Sequence, residues 1–357
     1  MSGIANRMAY VLGLHVSNAQ DDPIVRGVKC RLCWWLFMAD RWCPPALGLP
    51  RNFDGFGHSP DVSTHTTPLQ VVNEVSLGLD EARRDHLWTF MIAFADILGP
   101  IQDLNLCLIR TEISRHDVDR RVMDLSSRLQ AWHDTLPARM IMNEDNLDMH
   151  RTQGVGGIFV SCHLGYHHYW TLLYFQYLDA PINSMPETQE YAARCKHHAL
   201  SFSRLLYHAR QKSDCEVVYF TVAQMTIVSS SVLLHMILLG DEEEVEIAHV
   251  QLVRNFEALI ELTKYWPKID NIIQRLLLFQ NACLRSTTAK THAIDRWMVG
   301  YLMQYALPLE EKTLEISEAS ATKGEEHPAM EHQVSSSRTL IVNSAFEGLR
   351  TIRGEDD

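Results

Sequence analysis

A chain of 357 residues, 46% of them hydrophobic, is long enough to bury a substantial core. Its net charge of −12 excludes a strong grip on nucleic acid by this chain alone, because duplex affinity comes mainly from Lys and Arg neutralising phosphates. The 8 cysteines lack paired spacing, which fits a reducing compartment better than a disulfide scaffold, and Arg7 inside the first apolar run argues against a secretory signal.

In chain order, the first distinctive element is Arg31 to Arg41, followed by Leu47-Gly48-Leu49-Pro50. Trp34, Phe37 and Met38 fall at i, i+3 and i+4, one face of a helix. Asp40 and Arg41 close it, where an Arg complements the negative end of the helix dipole, and Pro44-Pro45 predicts its stop. The residue types point to a packing element with a polar latch, in which Arg41 clamps the 43–50 turn onto the helix. Residues 51–75 read as a loop broken by Gly55, Gly57, Pro60 and Pro68.

Helix follows helix from there. Val122, Leu125, Leu129, Trp132 and Leu136 repeat at helical spacing until Pro137. Residues 158–178 predict an aromatic helix, and 187–211 another with Ala192, Cys195, Ala199, Phe202 and Leu206 on one face. Residues 217–240 carry no charge and are long enough to span a bilayer, but Gln224, Ser229, Ser230, Ser231 and His235 favour a helix buried in protein. Asp241 and Glu244 predict a capping box for a helix with Val245, Ala248, Leu252, Phe256 and Leu259 inside. Pro267 opens the next, with Ile269, Ile272, Ile273, Leu276 and Gln280 on its core face, and Ile294 to Tyr305 make a final helix before Pro308. No alternating strand pattern or internal repeat occurs. The fold class is therefore all-α: a compact multi-helix array over 1–309, with residues 310–357 as a largely disordered acidic tail. That tail holds 11 acids against 5 bases, a net −6, and one apolar island of Leu340, Ile341, Val342, Phe346 and Leu349.

Candidate chemistry is sparse. Cys30 and Cys33 form the only close thiol pair and lack the other half of a tetrahedral zinc set. His163 and His167 have the i, i+4 spacing that presents two imidazoles to one metal, but no Glu lies between them and no third ligand is identifiable; they and His168 read as packed among aromatics, with His197-His198 as possible neighbours. Asp241 to Glu244 superficially matches the acidic run of a terpene cyclase, but acids are expected at a helix start and no second ligand set follows. Glycine-rich nucleotide loops and the Gly-x-Ser-x-Gly nucleophile motif are missing, so no catalytic residue is assigned and the chain reads as a non-enzyme. The rival readings are an all-helical enzyme with a hydrophobic substrate cavity and a membrane-associated protein using residues 217–240.

The run Arg31, Trp34, Asp40-Arg41 and Leu47-Gly48-Leu49-Pro50 resembles the signature of the fungal-specific transcription factor domain, the middle homology region of Zn2Cys6 zinc-cluster regulators. Cys33 departs from it at the first Trp position, and Cys30 at a basic one. Arg7-Met8-Ala9 and Leu12-Gly13-Leu14-His15 resemble the family's lead-in helix. The Leu-Gly-Leu-Pro variant, Asn255-Phe256-Glu257, Tyr265-Trp266-Pro267, Asn281-Ala282-Cys283-Leu284 and Asp295-Arg296-Trp297-Met298 resemble its cutinase and amide-catabolism branch, so the likeness runs from about residue 5 to about 311. It implies transcriptional regulation in a nucleus, with Arg31, Trp34, Asp40, Arg41, Gly48 and Pro50 as a structural motif. It also implies a small-molecule effector, a full-length zinc-cluster factor or the transcriptional machinery as partner, and zinc only in a separate N-terminal DNA-reading module that this sequence lacks. No direct DNA binding and no membrane association are expected.

Overall fold

A computed structural model describes residues 2–14, 20–49, 51, 79–179, 185–288, 294–307 and 328–353. Among them are α-helices α1 (Ser2–Val11), α2 (Pro23–Ala46), α3 (Leu79–Arg110), α4 (Arg115–Asp134), α5 (Glu144–Thr152) and α6 (Gly156–Tyr174). Then come α7 (Pro186–Arg210), α8 (Phe220–Leu239), α9 (Glu242–Thr263), α10 (Ile269–Thr288), α11 (Arg296–Met303) and α12 (Pro328–Arg353). No strand occurs among the described residues, and the all-α expectation holds.

Helix α8 is the axis of the array, packed by α7, α9, α10, α6 and α12. It passes the length and apolarity test for a membrane span, yet 94% of that window is buried inside the protein. Its polar groups explain why a protein interior suits it. Ser229 Oγ donates to the Ala199 carbonyl of α7 (2.9 Å), Gln224 Nε2 to the Leu302 carbonyl of α11 (2.8 Å), and Asn255 of α9 reaches Ser230 Oγ (3.1 Å). Each such bond offsets a desolvation cost of about 1–3 kcal/mol that hydrocarbon would leave unmet.

The helix ends follow local chemistry. Ser114 caps α4, Asn143 caps α5 and Asp295 caps α11, each side chain accepting an amide three residues on. Asp241 caps α9 in the same way at 2.8 Å, but the predicted capping box is only half made, because Glu244 turns its carboxylate to Lys196 on α7 at 2.8 Å. The acidic run Asp241–Glu244 is thus a cap and an inter-helix tie.

Helix α2 ends at Ala46, one residue past the expected stop at Pro44-Pro45. One sequence expectation changes. The 310–357 segment contains α12, which lays Val342, Ala345, Phe346 and Leu349 at i, i+3, i+4 and i+7 onto the core, with the Phe346 ring edge-on to Phe256 of α9 at 4.7 Å. Apart from Leu340, which stays exposed, the apolar island is therefore a docked helix face within this chain. The loop expected over 51–75 falls, from residue 52 on, outside the described residues, as do residues 308–327.

Because Phe346 is fully buried, Phe346→Ala is expected to cost about 3 kcal/mol of unfolding free energy. Urea denaturation followed by circular dichroism checks this, and an unchanged midpoint would mean α12 does not dock.

Candidate functional site

The polar latch lies where α1, α2, α3 and the end of α11 converge. Asp40 is completely buried and Arg41 is 5% exposed. Charges so placed persist only with partners, because desolvating an ion costs several kcal/mol. Asp40 Oδ1 accepts from Asn6 Nδ2 of α1 at 2.9 Å, and its Oδ2 lies 3.7 Å from Arg41 Nη1. The Arg41 guanidinium also sits over the Phe37 ring, 4.2 Å from its centre, and 3.8 Å from Asp96 of α3. A β-carbon on Gly99 would come within 3.2 Å of the Arg51 guanidinium and 3.4 Å of Arg41 Nε, so the missing side chain lets two cations rest on α3. Arg51 is held there by the Gly99 carbonyl (2.9 Å) and by both oxygens of Asp103 (2.8 and 2.5 Å), a bidentate pair.

The end of α2 depends on distant groups. Pro45 has no N–H to offer the Arg41 carbonyl, and Gln102 Nε2 of α3 donates to it at 2.8 Å. Tyr305 Oη donates to the Trp42 carbonyl (3.0 Å) and the Ala306 amide to the Ala46 carbonyl (3.1 Å). Gly48 adopts φ +64°, a left-handed conformation, with Gln304 Nε2 3.0 Å from where a β-carbon would sit; its carbonyl accepts from Arg110. The described bonds that reach the turn from elsewhere in the chain come from Arg110 and from 305–306, and the described contacts of Arg41 go to Asp40, Phe37 and Asp96, while residue 50 at the end of the turn lies outside the described residues. Arg31 and Trp34 sit on α2, but their side chains, like Pro50 and the Cys30 side chain, lie outside the described residues.

The histidines separate. His163 Nε2 bonds the Met140 carbonyl at 2.9 Å, and burial pushes the imidazole down to about 4, so it stays neutral near pH 7. His167 turns away and pairs Nδ1 to Nδ1 with His198 of α7 at 2.9 Å, which requires one neutral ring to donate and the other to accept. His198 stacks on Trp170 at 5.3 Å, and His168 stacks on Trp42 of α2 at 5.7 Å. Burial lowers the basicity of all three. The i, i+4 pair thus ends in two different packing contacts. Among the described residues no three His, Cys, Asp or Glu side chains are grouped to hold a metal ion. Cys162, Cys195 and Cys215 are buried thiols; burial raises Cys162 to about 12, far from a reactive thiolate.

Sequence reasoning missed Arg51, Gln102, Arg110 and Tyr305. Only Arg110 carried a signal, a cation in the last turn of α3. The others are separated from their partners by 48 to 263 positions. No family model, no curated protein and no solved structure matches this chain.

Two predictions follow from this geometry. Arg41→Ala leaves Asp40 buried without its cation and is expected to cost about 3 kcal/mol, while Arg110→Ala at the exposed turn costs about 1 kcal/mol; urea midpoints rank them, and equal losses would contradict the latch. His163, held below its unfolded value of about 6.5, stabilises the fold fully above that pH. The unfolded chain takes up the proton first, so this stability fades as pH falls from about 6.5 to about 4. His163→Gln should flatten the decline in that window.

Proposed function

We propose that this chain is the regulatory domain of a transcription-control protein of the fungal zinc-cluster kind, working in the nucleus through protein contacts and a small-molecule effector. The observation that carries the reading is the state of the Asp-Arg doublet. A reactive acid–base pair must meet solvent and substrate, yet Asp40 is wholly buried and spent on Asn6 and Arg41. A signature spent on packing fits a controller's scaffold. The net charge of −12 supports an indirect role, since duplex DNA would be repelled. Zinc and sequence reading are assigned to a separate module or a partner.

The same support weighs against the rivals. The acidic run that a terpene cyclase would use for magnesium caps α9 and ties Lys196. The helix that a membrane protein would insert is the packed axis of the array.

Fusion of the whole chain to a heterologous DNA-binding domain is expected to change transcription from a matching reporter, and the purified chain alone is expected to give no sequence-specific mobility shift at physiological salt. A silent fusion that is folded and present in the nucleus overturns the regulatory reading. Tight specific DNA binding by the chain alone overturns the indirect role.

A further inference from the structure

The first two helices carry an apolar surface that the latch does not use. Of the 22 large hydrophobic side chains exposed among the described residues, ten lie between Ile4 and Trp35, so the exposure is concentrated at one place in the fold. On α2, Ile24, Val25, Val28, Leu32 and Trp35 are 46–71% exposed and fall within an arc of about 100° on the helix. The opposite arc holds Cys33 and Phe37, both buried against α3. Ile4, Met8 and Val11 form an exposed stripe on α1, whose other side buries Asn6 and Ala9. The two stripes together offer on the order of 1,000 Å² of apolar surface, a little over half of it on α2, more than a monomer ordinarily leaves in water. A stable interface takes about 800 Å² from each partner.

We infer that α2 pairs with α2 of a second copy of this chain, antiparallel about a twofold axis. The stripe is self-complementary in that register. Valines 25 and 28 and the larger Leu32 and Trp35 are spaced 3, 4 and 3 apart, the period of a two-helix seam. Placing Leu32 opposite Val28 of the other copy brings Trp35 opposite Val25 at once, so each large side chain meets a small one. A twofold axis demands this reciprocity, because residue i against j requires j against i. Lys29 at the border of the stripe is already neutralised by Asp21 at 2.7 Å, so closing the interface does not bury a lone charge there. This interface goes beyond the regulatory reading and does not depend on it.

The test is sedimentation of the full chain from about 1 to about 100 µM. A monomer–dimer equilibrium is expected in that range. Leu32→Glu should weaken it at least about 100-fold by setting a carboxylate against Val28 of the other copy, while Met123→Glu, at an exposed site on α4, should leave it unchanged. Val28→Lys combined with Leu32→Glu should restore the dimer, because each new Lys then faces a new Glu across the axis; a variant that had merely misfolded would not recover. A chain that stays monomeric throughout, a dimer indifferent to Leu32→Glu, or a double variant that fails to re-pair each overturns the proposal. So does a monomer that uses this stripe to bind anionic lipid vesicles.

Discussion

Two opposite charges side by side in the last turns of α2, sealed from water, constrain much of the surrounding structure. Asp40 cannot be buried alone, so α1 must bring Asn6 to it. Arg41 must find both a carboxylate and an apolar surface, so Phe37 lies beneath it and α3 passes close by at Gly99. The proline pair strips two donors from the same turn, and the Arg41 carbonyl that Pro45 leaves over is met by Gln102. Each requirement fixes a neighbour. The result is a junction joining the first helices to a segment more than 250 positions later through Tyr305. Replacing such a pair with apolar groups can be neutral, but removing one member strands the other, so the doublet acts as a lock on geometry more than as a source of net stability.

Around that junction the core is built on another balance. Helix α8 is apolar enough for hydrocarbon, yet Gln224, Ser229 and Ser230 each find a protein partner on a different helix. These bonds set which helix faces which, where apolar packing alone would tolerate several arrangements. The histidine-rich face of α6 works similarly. His168 fills space against Trp42 and His163 against Phe159, while His198 of α7 stacks on Trp170, and their shared neutral state is a consequence of burial.

The helices from α4 to α11 that the sequence analysis names were legible because their apolar residues recur at 3.6-residue spacing and their caps are local; Val122 to Trp132 and Ile269 to Leu276 are buried as the pattern indicates. Helix α12 was hidden by composition, since a charged, serine-rich segment reads as disordered until its short stripe meets Phe256. The stop at Pro44-Pro45 was legible to within a residue, but the donor that replaces the lost bond to the Arg41 carbonyl was not, because it is a glutamine 61 positions away. The latch residues Asp40 and Arg41 stood out as a doublet, but the partners that give them meaning come from α1 and α3 and leave no mark near them in the chain. A scaffold role for this junction leaves function to the surfaces around it, in keeping with the regulatory role proposed above.

Native-state hydrogen exchange on an Asp40→Ala variant tests the scaffold role most directly. If the doublet holds the junction together, amides of α1 and of residues 37–46 lose at least about tenfold protection as one unit, while the α8 amides change only with global stability. Unchanged protection in α1 and at the end of α2, in a protein that remains folded, would show that the buried charges support nothing beyond themselves.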